Sequence, residues 1–172
     1  MIRVQREDFD VGRELARFGA GNARVGGVCV FVGLVRDMTD ASSGAPSRDA
    51  EGGRTQPVGA MTLEHYPGMT EREIAAIETE ARARWPLEDV LVIHRYGRLA
   101  PGDRIVLVAT ASAHREAAFE SCHFLIDWLK TKAPFWKREE TPAGGEWVRA
   151  RDSDDQAAAR WAKAPKTGKT GP

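Results

Sequence analysis

The chain has 172 residues, with 25 Lys+Arg against 25 Asp+Glu and a formal net charge of zero, so neither a general nucleic-acid coat nor a membrane-surface protein fits its electrostatics. It is 42% hydrophobic and 29% charged, which excludes the composition of a disordered chain. At this length folding hides roughly 70% of the unfolded chain's surface, enough for one domain without metal or disulfide staples, and one domain is expected over residues 1–161.

The chain lacks a run of about 18 apolar residues, and Met1–Arg6 lacks the apolar segment of a signal peptide, so a cytoplasmic location is expected. Cys29 and Cys122 lie far apart among apolar neighbours and outside any Cys-x-x-Cys pair, which predicts two buried free thiols and no metal site.

In chain order, Asp10 can cap a short helix carrying Leu15 and Phe18 that Gly19 and Gly21 end. Residues 25–35 are β-branched and apolar at both parities, the pattern of a strand buried on both sides, and the chain leaves it at Arg36-Asp37. From Thr39 to Pro57 the only apolar side chains are alanines and the glycines, serines and prolines break any period, which predicts a long mobile loop, either a lid or an insertion. Strand character resumes from Val58 to Tyr66. The box Thr70-x-x-Glu73 then opens a helix with Ile74, Ile77, Ala81 and Trp85 on its core stripe, ending at Pro86.

Val90–Tyr96 and Arg104–Ser112 read as a hairpin around Gly97, Pro101, Gly102 and Asp103. Ser112 can cap a long helix to about Thr131, with Ala118, Cys122, Leu125 and Leu129 as the apolar stripe, widened by Phe119 and Ile126. After Pro134, residues 135–139 look extended, Gly144-Gly145 predicts a turn, and residues 147–149 complete a second hairpin. A short helix over 154–162 would bury Trp161, and the tail beyond is expected to be disordered.

Several chemical motifs are absent, among them His-Glu-x-x-His, Gly-x-Ser-x-Gly and Gly-x-Gly-x-x-Gly. Gly168-Lys169-Thr170 ends like a phosphate-binding loop, but Lys163 stands where the first glycine is required. Ser112-Ala113-His114-Arg115 is more promising, because free amides at a helix start coincide with two donor side chains. It reads either as an anion site or as solvated first-turn residues. Arg36 could add a bidentate phosphate contact or be an ordinary surface arginine. His94 is expected to be buried and hydrogen-bonded, while Tyr66, Phe31 and Trp136 read as packing residues, each able to stack on a planar ring if it faces a pocket.

The segment from Asp127 to Glu139 sets four cations among aromatics across a helix end. Lys130 could simply complement the helix dipole. Alternatively Lys130 and Lys137 converge on a pocket, where crowding and desolvation would favour neutral amines fit for nucleophilic or proton-shuttling work. A non-enzymatic module that grips RNA or an acidic peptide through the same Lys/Arg/Trp cluster is the rival reading, against which the zero net charge counts.

Five stretches carry a resemblance to a known family: residues 31–36 (FVGLVR), 63–69 (LEHYPGM), 92–97 (VIHRYG), 112–115 (SAHR) and 129–139 (LKTKAPFWKRE). With them the chain resembles the large, catalytic subunit of molybdopterin synthase. The resemblance implies an α+β fold of the α/β-hammerhead type, with antiparallel sheets and a long helix. It also implies a homodimer that binds a small ubiquitin-like subunit at each end to give a heterotetramer. The small subunit's Gly-Gly C-terminus, as a thiocarboxylate, would deliver two sulfurs to cyclic pyranopterin monophosphate, forming the dithiolene of molybdopterin. No cofactor or metal is implied for this subunit. By the same resemblance Lys130 and Lys137 are the catalytic lysines. Arg36, His114 and Arg115 hold the anionic substrate, the latter two across the dimer interface. Arg151 matches a further pocket position, and Phe31, Met69 and Glu139 are weaker candidates. The 39–57 loop and the tail after Trp161 are longer than the family pattern.

Overall fold

The computed structural model describes residues 1–36, 60–141, 144–148 and 159–162, with backbone only at 139–148 and 162. The 39–57 loop, Arg151, the start of the last expected helix and the tail beyond Ala162 lie outside the described residues.

The first sheet forms around the most apolar part of the sequence. Strands β1 (Ile2–Gln5), β2 (Gly27–Leu34), β4 (Leu87–Arg95) and β6 (Arg104–Ser112) pair in the order β1-β4-β6-β2. β4 and β6 are the expected hairpin, joined in antiparallel register with Val92 opposite Val108. β1 runs parallel to β4, so this sheet is mixed where antiparallel sheets were expected. Its four residues alternate too briefly to announce their direction.

One face of this sheet is covered by helices α2 (Met69–Arg84) and α3 (Arg115–Thr131). Ile74, Ile77, Ala81 and Trp85 pack there against Val90, Val92, Val106 and Val108, with Cys122, Leu125 and Leu129 from α3, as the helical spacing predicts, and with Phe124 besides. The other face carries α1 (Val11–Arg17), whose Leu15, with Phe18 beyond it, meets Leu91, Ile93, Leu107 and Ala109; Asp10 caps it by accepting from the Arg13 amide at 2.7 Å. Both helix stripes follow from apolar residues recurring every three or four positions.

A second sheet, β5-β3-β7-β8, is built from β3 (Ala60–His65), β5 (Gly97–Leu99), β7 (Phe135–Thr141) and β8 (Gly144–Val148). β7 and β8 are the second expected hairpin, although Gly144 and Gly145 begin β8 instead of forming its turn. β5 comes from the connection between β4 and β6, so the expected turn also lends a strand to the other sheet. The architecture is α+β.

Local differences have local causes. At α2 the box closes two residues early: Gly68 is the cap, its amide donates to Glu71 at 2.6 Å, and Thr70 is buried with its hydroxyl donating to the Tyr66 carbonyl at 3.1 Å. At α3 His114 occupies the cap position. Ser112 remains in β6, donating to the Pro86 carbonyl at 2.8 Å and accepting from the His114 amide at 3.4 Å. Phe119 points away from the core at 61% exposure, and Phe124, outside the expected stripe, is fully buried in its place.

The largest correction concerns β2. It is the edge of its sheet, not a central strand, and Val28, Val30, Phe31 and Leu34 are all exposed. An apolar run reads the same whether its own chain or another molecule covers it. Cys122 is buried as expected, while Cys29 on β2 is only half-buried.

Acid stability tests two of these environments. Burial pulls the pKa of His94 from its ordinary 6.5 to about 4, the Arg95 carbonyl opposing that shift and His65 adding to it. Between these values the unfolded chain takes up a proton that the folded chain refuses. His94 therefore lends stability above pH 6.5 that is lost as the pH falls toward 4. Asp8 works lower on the scale: bonding to Arg104 holds its carboxyl below the ordinary 3.8, so its contribution is present above that value and disappears as the pH drops through its lowered pKa. Urea midpoints measured from pH 8 to 3 are expected to fall less steeply between pH 6.5 and 4 in His94→Phe than in the unsubstituted protein. Asp8→Asn is expected to remove part of the decline below about pH 4 only.

Candidate active site

Lys130 stands in the last turn of α3. Leu125 and Leu129 turn inward to the core, and Lys130 is exposed. The turn is closed by the Thr131 hydroxyl, which donates to the Asp127 carbonyl at 3.1 Å, and by the Lys132 amide, which donates to the Trp128 carbonyl at 2.8 Å. Ala133 is buried, the Phe135 amide donates to its carbonyl at 2.8 Å, and the chain enters β7. Pro134, which lacks an amide proton, stops the helix where the sequence indicates.

Strand alternation sets Phe135 and Lys137 on one face of β7, with Trp136 and Arg138 on the other. Lys137 is half-buried and lies opposite Leu63 of β3 and Val148 of β8 in a strand paired on both sides. The four cations of this segment therefore do not form one patch. The Lys132 amine sits 3.8 Å from the centroid of the Trp128 ring, and Arg138 faces away from Lys137. Trp136, read as a packing residue, is half exposed, as are Phe31 and Tyr66.

Arg36 is presented from the end of β2. Val35 before it is buried against Met61, Leu63 and Leu99, its amide donating to the Asp103 carbonyl and its carbonyl accepting from the Gly102 amide, both at 2.8 Å. Leu63 thus underlies Val35 on one side and lies across from Lys137 on the other, so Arg36 and Lys137 share an anchor. Met69 opens α2 four residues after His65, the register partner of Phe135, and is 43% exposed at the same end of the molecule as the close of α3. Glu139 lies opposite Met61 in the β3–β7 ladder.

His114 and Arg115 are exposed at the opposite end of α3. At 1.5 Å per residue, Arg115 and Lys130 are separated by about 22 Å along the helix, so one copy of the chain does not bring them together. They lie instead beside the start of β2: the Gly26 amide donates to the Ser112 carbonyl at 3.0 Å, and a Cβ on Gly26 would run into the Ala113 carbonyl oxygen. The His114 side chain makes no capping bond at this helix start.

His94 is buried as expected, with Nδ1 2.9 Å from the Arg95 carbonyl oxygen. Its parallel stack on Phe135, at 3.7 Å between centroids, has no signal in the sequence because it joins two sheets. Asp127, one turn before Lys130, is also buried; it accepts from the Trp161 indole at 2.7 Å and pairs with Arg160 at 2.9 Å. Trp161 is half-buried, edge-on against Trp85 and Phe124, within the single 3-10 turn Arg160–Ala162.

Comparison with known proteins gives one answer along nearly the whole chain. A family model described as MoaE protein matches residues 4–132. Proteins from Ralstonia nicotianae and Escherichia coli, both named molybdopterin synthase catalytic subunit, are each 51% identical over 160 residues; that is 93% of this chain, and 83% and 97% of theirs. A solved structure from Burkholderia ambifaria, named molybdopterin biosynthesis MoaE protein, superposes with a TM-score of 0.75 at 48% identity, covering 95% of this chain and 98% of that one. This chain belongs to the MoaE protein family.

Proposed function

We propose that the chain acts in molybdenum cofactor biosynthesis as the catalytic subunit of a molybdopterin synthase, converting cyclic pyranopterin monophosphate to molybdopterin in the cytosol. The observation that carries this reading is the short turn through Ala133 and Pro134. It links Lys130, at the end of a rigid helix, to Lys137, half-buried in a doubly paired strand. The RNA- or peptide-binding alternative loses its continuous cationic stripe, because Lys132 is engaged with Trp128 and Arg138 faces away from Lys137.

The sulfur comes from the thiocarboxylated C-terminus of a small ubiquitin-like subunit. A thiocarboxylate is already a strong nucleophile, so the large subunit supplies orientation, phosphate anchoring and protons for oxygen leaving groups. Lys130 acts as the principal acid/base or as a transient acyl acceptor, and Lys137 stabilises developing charge. Arg36 and the α3 N-terminus with His114 and Arg115 anchor the phosphate. Phe31, Met69, Glu139 and Arg151 complete the pocket. No resident metal or cofactor is required of this subunit.

The fold is of the α/β-hammerhead type and works as a homodimer, with a small subunit at each end to make a heterotetramer. The placement of the anion-binding residues supports the dimer. Arg36 lies at one end of the exposed apolar edge strand β2 and His114-Arg115 beside the other, so neither a single copy's helix nor its strand unites them. Two edge strands related by a two-fold axis pair antiparallel, which sets the start of one β2 against the end of the other. Arg36 of one copy then meets His114 and Arg115 of the second.

Lys130→Ala is expected to lower dithiolene formation at least about 100-fold, the scale of a lost acid/base group, with small-subunit affinity unchanged. Product quantified from purified protein, thiocarboxylated small subunit and cyclic pyranopterin checks this, and unchanged turnover would overturn the assignment. Subunit mixing tests the composite site. Arg36→Ala and His114→Ala/Arg115→Ala are each expected to be inactive alone. When the two are exchanged into mixed dimers, half the dimers are hybrids and one of their two sites is intact, so about a quarter of full activity returns. A mixture that stays inactive while hybrids are seen by native mass spectrometry would place all three residues in one copy's site.

A further inference from the structure

The joint between the two sheets contains a feature that the proposed chemistry does not use. His94, the penultimate residue of β4 in the first sheet, is 8% exposed and stacks on Phe135 at 3.7 Å with 15° between ring planes. Its Nδ1 lies 2.9 Å from the Arg95 carbonyl oxygen, which can only accept, so Nδ1 carries the proton and the ring's rotation is fixed from its own strand. Phe135 opens β7 in the second sheet. His65, the register partner of Phe135, also lies 6.2 Å from its ring at 30° and itself leans on Tyr96 at 4.3 Å. Phe135 thus has imidazole neighbours from both sheets.

This contact bears on the site because Phe135 and Lys137 share a face two residues apart, about 6.6 Å along the strand. Lys130 is fixed to the first sheet through α3, whose Leu125 and Leu129 belong to its core. Lys137 belongs to the second sheet. The relation between the two amines is therefore set by the turn through Ala133 and Pro134 and by the packing where the sheets meet, and the His94–Phe135 stack lies there two residues from Lys137.

We propose that His94 is a positioning residue: through its stack on Phe135 it sets the place of Lys137 relative to Lys130, without itself touching substrate. The inference rests on the reading of the two lysines as the reacting pair. Displacements of the order of 1 Å at such a pair cost up to about 100-fold in rate.

The test compares His94→Leu, which fills the site without a planar ring, with His94→Phe, which keeps the stacking surface and gives up the polar atoms. Two readouts are taken: dithiolene formation, and the rate at which an N-hydroxysuccinimide acetate acylates Lys137 relative to Lys130, followed by peptide mass spectrometry on the free protein. His94→Leu is expected to lower kcat about 10-fold or more, to leave KM for the pyranopterin and affinity for the small subunit within about twofold, and to shift the Lys137:Lys130 acylation ratio at least about threefold. His94→Phe is expected to restore both readouts. In a Lys137→Ala background the His94→Leu penalty is expected to vanish, since the two act through one group. A full penalty in that background, equal loss in both His94 variants, or an acylation ratio that never moves would overturn the proposal. If the unsubstituted protein forms no dithiolene, the functional reading fails by itself, while the acylation ratio still decides whether His94 places Lys137.

Discussion

The seat of helix α3 on strand β6 is the constraint on which the rest depends. The Thr110 hydroxyl donates to the Ala118 carbonyl at 2.7 Å inside the interface, and Phe124 and Leu125 are fully buried beneath the helix. Truncating a side chain as enclosed as these typically costs about 2–5 kcal/mol, so the helix cannot shift by a turn without forfeiting a large part of the fold's stability. Because α3 is a straight rod on a fixed seat, its ends are fixed too. Lys130 is held at one and His114-Arg115 at the other, about 22 Å apart. Any arrangement in which both ends serve one substrate must enlist a second α3.

The edge strand supplies a place for that second copy. A long, flat, apolar edge is a liability for a monomer, since its open amides and carbonyls invite pairing with whatever arrives. Charged side chains commonly guard such an edge, yet the exposed positions of β2 are Val28, Val30, Phe31 and Leu34. Phe119, exposed on the helix that packs against β2, adds to the apolar surface. Pairing two such strands about a two-fold axis buries these side chains and closes the open ladder at the same time, which is why the dimer and the composite anion site are one proposal instead of two.

Elements were legible in the sequence wherever a local pattern had one physical meaning. Ile74, Ile77, Ala81 and Trp85 can share a face only in a helix, and the Val90–Tyr96 and Arg104–Ser112 runs could hardly be anything but paired strands. What stayed hidden was decided by distant partners. Residues 25–35 spell an apolar strand but say nothing of whether it is central or at an edge. Ser112 is a good cap residue that was drawn into a tertiary hydrogen bond with Pro86 instead, whereas at α2 the cause is local, the Thr70 hydroxyl donating back to Tyr66 four residues before it. The candidate site divides in the same way. Spacing alone left Lys130 open between a helix-dipole lysine and a reacting amine, and the resemblance of residues 129–139 pointed to the latter. That Leu63 anchors both Lys137 and, through Val35, Arg36 could be read only after the strands were paired.

The candidate site spans two sheets that differ greatly in how firmly they are built. The first is covered on both faces and holds most of the buried apolar side chains. The second has a small cluster of its own, Val35, Met61, Leu63 and Leu99, and meets the first through Ile105, the Val35 hydrogen bonds and the His94–Phe135 stack. Lys130 is tied to the well-packed part and Lys137 rides on the lighter one, while Arg36, which follows Val35 at the end of β2, stands between them. Interactions at such a joint contribute less to global stability than the larger core of the first sheet, yet together with the turn through Ala133 and Pro134 they set the geometric relation between the amines. Substitutions at the joint should therefore separate catalysis from folding more cleanly than substitutions in either core, where loss of packing would reach every candidate residue at once.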